Sequence, residues 1–168
     1  VAPAGKDTAR AALGGWLHPS RPVWVRINGT DTAWFAGDLA AVRSPGVAGV
    51  MLPKAETAAQ IAEMAAALPG TPVLPIVETA AGVWRALEIA GAPQVTRLAF
   101  GSVDLALDLD AQDGSATFDF ARARVVLASR VAGIAAPVDG VTLALDAPAM
   151  LAEDLARAKR MGFGAKLC

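Results

Sequence analysis

The chain has little of what most catalytic and binding centres are built from. It carries one cysteine, Cys168, and one histidine, His18. A single thiol closes no internal disulfide, which fits a reducing, cytoplasmic setting. At the last position it reads as a small buried residue of a final strand. A lone histidine, placed just before Pro19 where a helix ends, reads as a surface residue. The chain therefore offers neither a multi-histidine metal centre nor a Ser-His-Asp triad. No apolar run approaches the roughly 20 residues of a membrane helix, and the opening VAPAGKDTAR lacks the layout of a signal peptide. Neither GxGxxG nor GxxxxGK[ST] occurs, which argues against the common nucleotide-phosphate loops. Charge of either sign is not in excess: 15 Lys+Arg face 16 Asp+Glu, for a net −1. No nucleic-acid surface and no polybasic membrane surface is expected. There is no internal repeat and no low-complexity tract.

What is present is apolar and regularly spaced. At 168 residues and 54% hydrophobic, the chain can bury a sizeable core, and one domain over 1–168 is expected. Six short apolar runs read as strands, near 23–27, 49–52, 73–77, 97–100, 138–142 and 165–168. Helical patterns lie between them at 32–42, 56–68, 79–90, 118–133 and 148–161, with another at 7–17 before the first strand. Ala9, Ala12, Leu13 and Trp16 form the apolar stripe of the first, and Trp34, Phe35 and Leu39 that of the second. The polar stretch 108–119 reads as a loop. Pro75 removes a ladder donor inside its strand, so a bulge or bend is expected there. Strict strand–helix alternation implies an α/β fold with a parallel sheet. Two architectures fit: a doubly wound sheet, or a (β/α)8 TIM-type barrel, which takes about 250 residues and places its sites at the C-terminal ends of its strands. Six units account for this chain, so two units of a barrel would lie outside it.

The chemistry concentrates in 73–107. Glu78 follows VLPIV at once, and Asp104 follows RLAFG closely, delivered by a Gly101-Ser102 loop. Each acid taken alone reads as a helix cap. Together, at equivalent places of consecutive units, they read as a site. Two carboxylates brought close need a proton or cation between them, and magnesium typically takes one or two carboxylates plus water and substrate. Gly82 permits a close approach of backbone or ligand. Arg26, near the end of the strand PVWVR, is either an end-of-barrel ion pair or a clamp for a carboxylate or oxyanion. Lys54, just past GVMLP, is either a Schiff-base lysine or a solvated or ion-paired one. The arginines of ARARVVLASRVAG read as a solvated helix face.

Taken in order, PVWVRING, GVMLPKAE, PIVETAAGV, LAFGSVDL, ARARVVLASRVAG, DGVTL and GFGAKLC resemble the citrate lyase beta-subunit-like branch of the HpcH/HpaI aldolase family, over nearly the whole chain. The resemblance implies a TIM barrel of which six βα units are present. It also implies a Mg2+-dependent carbon–carbon lyase that cleaves a hydroxyacyl-CoA thioester, of citryl-, malyl- or citramalyl-CoA type, into an acyl-CoA and a 2-oxo acid. CoA would enter as part of the substrate. By the same resemblance Glu78 and Asp104 are the metal ligands, and Arg26 and Glu78 are the catalytic and substrate-contacting residues. Lys54 falls on a lysine of the family's LPK motif. A small-molecule CoA ester or 2-oxo acid is the implied partner, and a homo-oligomer, trimer or hexamer, the implied assembly. Val103 departs from the glutamate that often precedes the metal aspartate, which alters local charge. The family's first two strands would lie before Val1, and its IHP segment after Cys168. A class II aldolase, an acyl-CoA thioesterase and a catalytically silent barrel subunit are the alternatives.

Overall fold

The computed structural model describes residues 1–167; the expectation of a strand residue at Cys168 lies outside them. After a 3-10 turn at Pro3–Gly5 the chain runs α1 (Lys6–Trp16), β1 (Val23–Arg26), α2 (Phe35–Ala41), β2 (Val47–Leu52), α3 (Ala58–Ala67) and β3 (Val73–Val77). It continues through α4 (Ala80–Trp84), α5 (Ala86–Ala90), β4 (Ala99–Phe100), α6 (Ser102–Leu109), α7 (Ala116–Val131), β5 (Val138–Asp139), α8 (Pro148–Met161) and β6 (Ala165–Lys166). All six strands pair in parallel, in the order of the sequence. A doubly wound sheet reverses its strand order at a switch point. Here the order never reverses, and the sheet curls into a half-barrel.

Side-chain alternation along the strands separates two apolar layers. Val50, Leu52, Val73, Val77, Leu98 and Phe100 face the helices and pack with Ile61, Met64, Ile89, Leu105, Phe118 and Val125. Leu74, Ile76, Ala99 and Val138 point the other way, to the concave face, with Met51 and Ala165 beside them. Each Val, Leu, Ile, Met or Phe side chain that is fully buried here contributes about 1.5–3 kcal/mol. Among the described residues no helix is long and apolar enough to cross a membrane.

Pro75 disturbs the ladder as expected, on its β4 side. Pairing with β2 stays regular through Leu52 opposite Pro75. Between Val73 opposite Val95 and Ile76 opposite Ala99, three steps along β3 match four along its neighbour. The carbonyl of Thr96 accepts instead from Ala135 N–H. A second irregularity, unforeseen, lies where Val23 opposite Val47 is followed by Trp24 opposite Gly49. The extra residue is Ala48, and a side chain at Gly49 would run into the Trp24 indole.

Four expectations are corrected. Helix 79–90 is two short helices meeting at Arg85, because Arg124 of α7 takes the carbonyls of Val83 and Trp84 at the end of α4. The loop 108–119 is shorter, since α6 runs to Leu109 and α7 starts at Ala116. The strand near 138–142 ends at Asp139, where Gly140 leaves it to meet Ser102. The α1 stripe is not buried. Trp16 is exposed, because α1 lies beside the edge strand β1 and packs mainly on α2. Thr57, by contrast, opens α3 with a full capping box to Gln60.

Candidate active site

Glu78 leaves β3 with the concave-facing parity of Leu74 and Ile76 and is buried, its side chain 3% exposed. It is not a cap. The next residue, Thr79, caps α4 by accepting from Gly82 N–H at 3.1 Å. Glu78 Oε1 accepts instead from the backbone N–H of Lys54, at 2.9 Å. Lys54 holds a left-handed backbone, φ 49°, to aim that N–H, a conformation that costs a non-glycine residue about 1–2 kcal/mol. Its side chain is exposed. Nothing desolvates the ammonium group, so the Schiff-base reading loses its basis.

Arg26 ends β1 on the same concave side, since its neighbour Val25 packs towards the helices. Its guanidinium stands 4.0 Å from Glu78 Oε1 and is 58% exposed. The structure thus brings Arg26, Glu78 and the Lys54 backbone together. Asp104 is displaced from its expected loop. It sits in the first turn of α6, half-buried, and caps nothing. Its charge still reaches Glu78. Burial pushes the Glu78 carboxyl above its ordinary range, and Asp104 pushes it further. The Lys54 N–H and the charges of Arg26 and Lys54 pull the other way without winning.

Two glycines make this geometry fit. A side chain at Gly101 would lie 2.5 Å from both Cβ and Oε2 of Glu78, and one at Gly140 would lie 2.7 Å from Ser102 Oγ. Without Cβ atoms there, the β4 and β5 ends close over Glu78 and the start of α6. Gly82 is close-packed as expected, and against backbone: its Cβ would meet the Ala55 carbonyl at 2.5 Å.

The donor set suits magnesium. Two carboxylates, one pushed towards protonation chiefly by its burial and further by the other's charge, offer hard oxygens short of a cation. Among the described residues no third His, Cys, Asp or Glu joins them, so an ion here would have to complete its shell with water and substrate. Beside Arg26 a cleft of about 590 Å³ is lined by Lys6, Arg10, Asn28, Asp38 and Lys54.

Two arrangements escaped the sequence reading. Asp38 of α2 accepts from Asn28 N–H at 2.9 Å, from the Asn28 side chain and from Arg10 Nε at 2.8 Å, so the turn just after Arg26 is pinned. Those donors hold its carboxyl below the ordinary range despite its burial. Arg122, read as part of a solvated face, is 1% exposed and paired with Asp139 at 3.1 Å. It lies on the stripe of Phe118, Ala121, Val125 and Ala128. The signal was Asp139 itself, an acid inside the apolar run VDGV that requires a buried cation.

The model of the HpcH/HpaI aldolase/citrate lyase family matches residues 1–168. A citrate lyase subunit beta-like protein of Deinococcus radiodurans is 35% identical over 172 residues, covering 99% of this chain and 59% of the relative. A (3S)-malyl-CoA thioesterase of Cereibacter sphaeroides is 33% identical, over 84% of this chain and 50% of the relative. The chain thus spans between half and three-fifths of the length of these relatives. The structure of CitE from Mycobacterium tuberculosis in complex with magnesium, acetoacetate and coenzyme A superposes with a TM-score of 0.83 at 36% identity, covering 100% of this chain and 64% of that one. A parallel half-barrel of six sequential strands, a full-length family match and these relatives agree: the chain belongs to the HpcH/HpaI aldolase/citrate lyase family.

Proposed function

We propose that the chain is part of a magnesium-dependent carbon–carbon lyase that splits a hydroxyacyl-CoA thioester of citryl-, malyl- or citramalyl-CoA type into an acyl-CoA and a 2-oxo acid. The observation that carries this reading is Glu78, a buried carboxylate pushed towards protonation next to Asp104 and facing an unshielded arginine. The family and a neighbour bound to magnesium, acetoacetate and coenzyme A support it.

Glu78 and Asp104 would hold the ion, which supplies Lewis-acid polarisation of the oxygens on the 2-oxo acid half. The remaining work belongs to the chain. The Lys54 N–H fixes which Glu78 oxygen stays inward. In the cleavage the substrate hydroxyl loses its proton and becomes the carbonyl of the 2-oxo acid. The electron pair of the broken C–C bond moves to the thioester half as an enolate, whose carbon then takes up a proton to complete the acyl-CoA. Arg26, 4.0 Å from Glu78 and more than half exposed, would grip a substrate carboxylate or stabilise the enolate charge. A fixed cation at developing charge is typically worth about 10²–10³ in rate. A general base and a general acid are required to take the hydroxyl proton and to supply one to the enolate carbon. We read residues 1–168 as one partial barrel domain, working as a homo-oligomer.

The malyl-CoA thioesterase relative favours a second reading, hydrolysis of the same esters. Product analysis of magnesium-loaded protein with malyl-CoA separates the two. The lyase reading predicts acyl-CoA plus 2-oxo acid, and free CoA plus hydroxy acid would replace it with the thioesterase. No turnover, with Arg26→Ala indistinguishable from wild type, would contradict both.

A further inference from the structure

Away from the candidate site, six charged side chains close into a ring of alternating sign on the helix-facing side of β5 and β6. Arg122 clasps Asp113 with two bonds, 2.6 and 2.8 Å, and reaches Asp139 Oδ1 at 3.1 Å. Lys166 Nζ lies 3.6 Å from Asp139 Oδ2 and 3.8 Å from Asp154. Arg157 closes the circle, 3.0 Å from Asp154 and 4.0 Å from Asp113. Arg122, Asp139 and Lys166 are at most 2% exposed. Buried ions are a poor source of stability, since packed apolar residues often do as well or better in their place. What a planar, forked guanidinium does supply is fixed geometry.

That geometry converges on α6, the helix that carries Asp104. Before α6, the Arg122 guanidinium stacks on Phe100, the last residue of β4, 4.8 Å from the ring centroid. After α6, the same guanidinium holds Asp113 in the following loop. Lys166 adds a hold on the start of the helix. It donates to the Gly140 carbonyl at 2.5 Å, and Gly140 packs against Ser102, the first residue of α6. The helix needs these holds. Val103, Leu107 and Asp108 are exposed, and only Ser102 and Leu105 are buried.

We propose that Arg122 is a positioning residue for Asp104: by gripping the strand end before α6 and the loop after it, it sets where the Asp104 carboxylate stands relative to Glu78. The proposal rests on the reading of Asp104 as a metal ligand, and its test separates the two ideas.

Asp113→Asn weakens the grip on the far end of α6. Asp154→Asn cuts the same ring one link further away, leaving both Arg122 contacts in place and reaching α6 only indirectly through Lys166. Both carboxylates are partly exposed, so both variants are expected to fold. Amide hydrogen exchange over Ser102–Leu109, referenced to global stability in urea, is the first readout, and magnesium affinity by calorimetry the second. Asp113→Asn is expected to speed exchange in α6 about tenfold beyond its change in global stability. Weakened support of a metal ligand is expected to lower magnesium affinity about 3- to 10-fold. Asp154→Asn is expected to leave both within about twofold once global stability is accounted for. Equal effects of the two substitutions, or none from Asp113→Asn, overturn the proposal. If the exchange contrast holds but folded wild-type protein binds no magnesium, the ligand role of Asp104 falls and the hold of Arg122 on α6 stands.

Discussion

The two ends of the sheet treat buried charge in opposite ways. On the β5–β6 side each buried charge has a close opposite: Arg122 two carboxylates, Asp139 two cations, Lys166 two carboxylates. On the β1–β3 side Glu78 is as deeply buried, yet among the described residues it accepts a hydrogen bond only from a backbone N–H, and the cation paired with it, Arg26, is more than half exposed at 4.0 Å. The carboxyls respond accordingly. That of Asp113 is held low: burial raises it, and the Arg122 bonds and charge outweigh that. That of Glu78 is pushed high. A compensated ring fixes structure, whereas an undercompensated carboxylate at the C-terminal rim of parallel strands is where a ligand's charge is welcome.

Removing a member from each region should break the symmetry of cost. Breaking a buried pair from one side typically costs about 3–5 kcal/mol, so Arg122→Ala is expected to lose about that much stability in urea unfolding. Glu78→Gln should do the reverse and leave stability unchanged or raised without magnesium, because the charged form is the disfavoured one there. A large loss from Glu78→Gln would show that its charge is compensated after all.

A smaller effect tests how tightly Glu78 is enclosed. Gly101→Ala places a methyl group 2.5 Å from Glu78 Cβ and Oε2. Overpacking of this kind costs about 1–3 kcal/mol, and it should also displace the carboxylate and weaken magnesium binding.

The two acids should tilt the pH dependence of stability in opposite directions. Asp113 has a folded pKa below its unfolded value, so its contribution is present above about pH 3.9 and is lost as pH falls through the folded value. Asp113→Asn should therefore flatten the acid limb of urea midpoints. Glu78 has a raised folded pKa, so it takes up a proton more readily when folded. Its penalty is absent below about pH 4.3 and grows as pH rises through the folded value. Glu78→Gln should remove that decline.

The smallest stability effect is expected at Arg26. Being more than half exposed, Arg26→Ala should change stability by no more than about 0.5 kcal/mol, while turnover of malyl-CoA falls about 10²–10³-fold. Paired losses in both would make Arg26 a structural ion-pair residue instead.

Much of this contrast was legible in the sequence, unevenly. The six apolar runs and the helices between them gave the parallel half-barrel, because burial on both faces leaves continuous apolar strands. Arg26 and Glu78 were readable because charges at strand ends need a reason. The cap alternative for Glu78 failed on a local detail, the hydroxyl of Thr79 already doing that work. Gly101-Ser102 looks like a turn, yet α6 starts at Ser102, directly after a Gly101 that packs against Glu78. The Arg122 ring was missed because helix periodicity sorts residues by polarity, and a buried arginine sits on the apolar stripe. Its partners come from four other segments of the chain, a long-range pairing no local pattern carries. The break at Arg85 has the same cause, two carbonyls taken by Arg124 some forty residues away.

Glu78 and Asp104 must form one magnesium site for this chemistry, and calorimetric titration of magnesium into wild type, Glu78→Gln and Asp104→Asn decides whether they do. The prediction is binding by the wild type that each substitution abolishes or severely weakens, with fold and urea midpoint retained. Absence of binding by folded wild type, or binding that survives both substitutions, would contradict it.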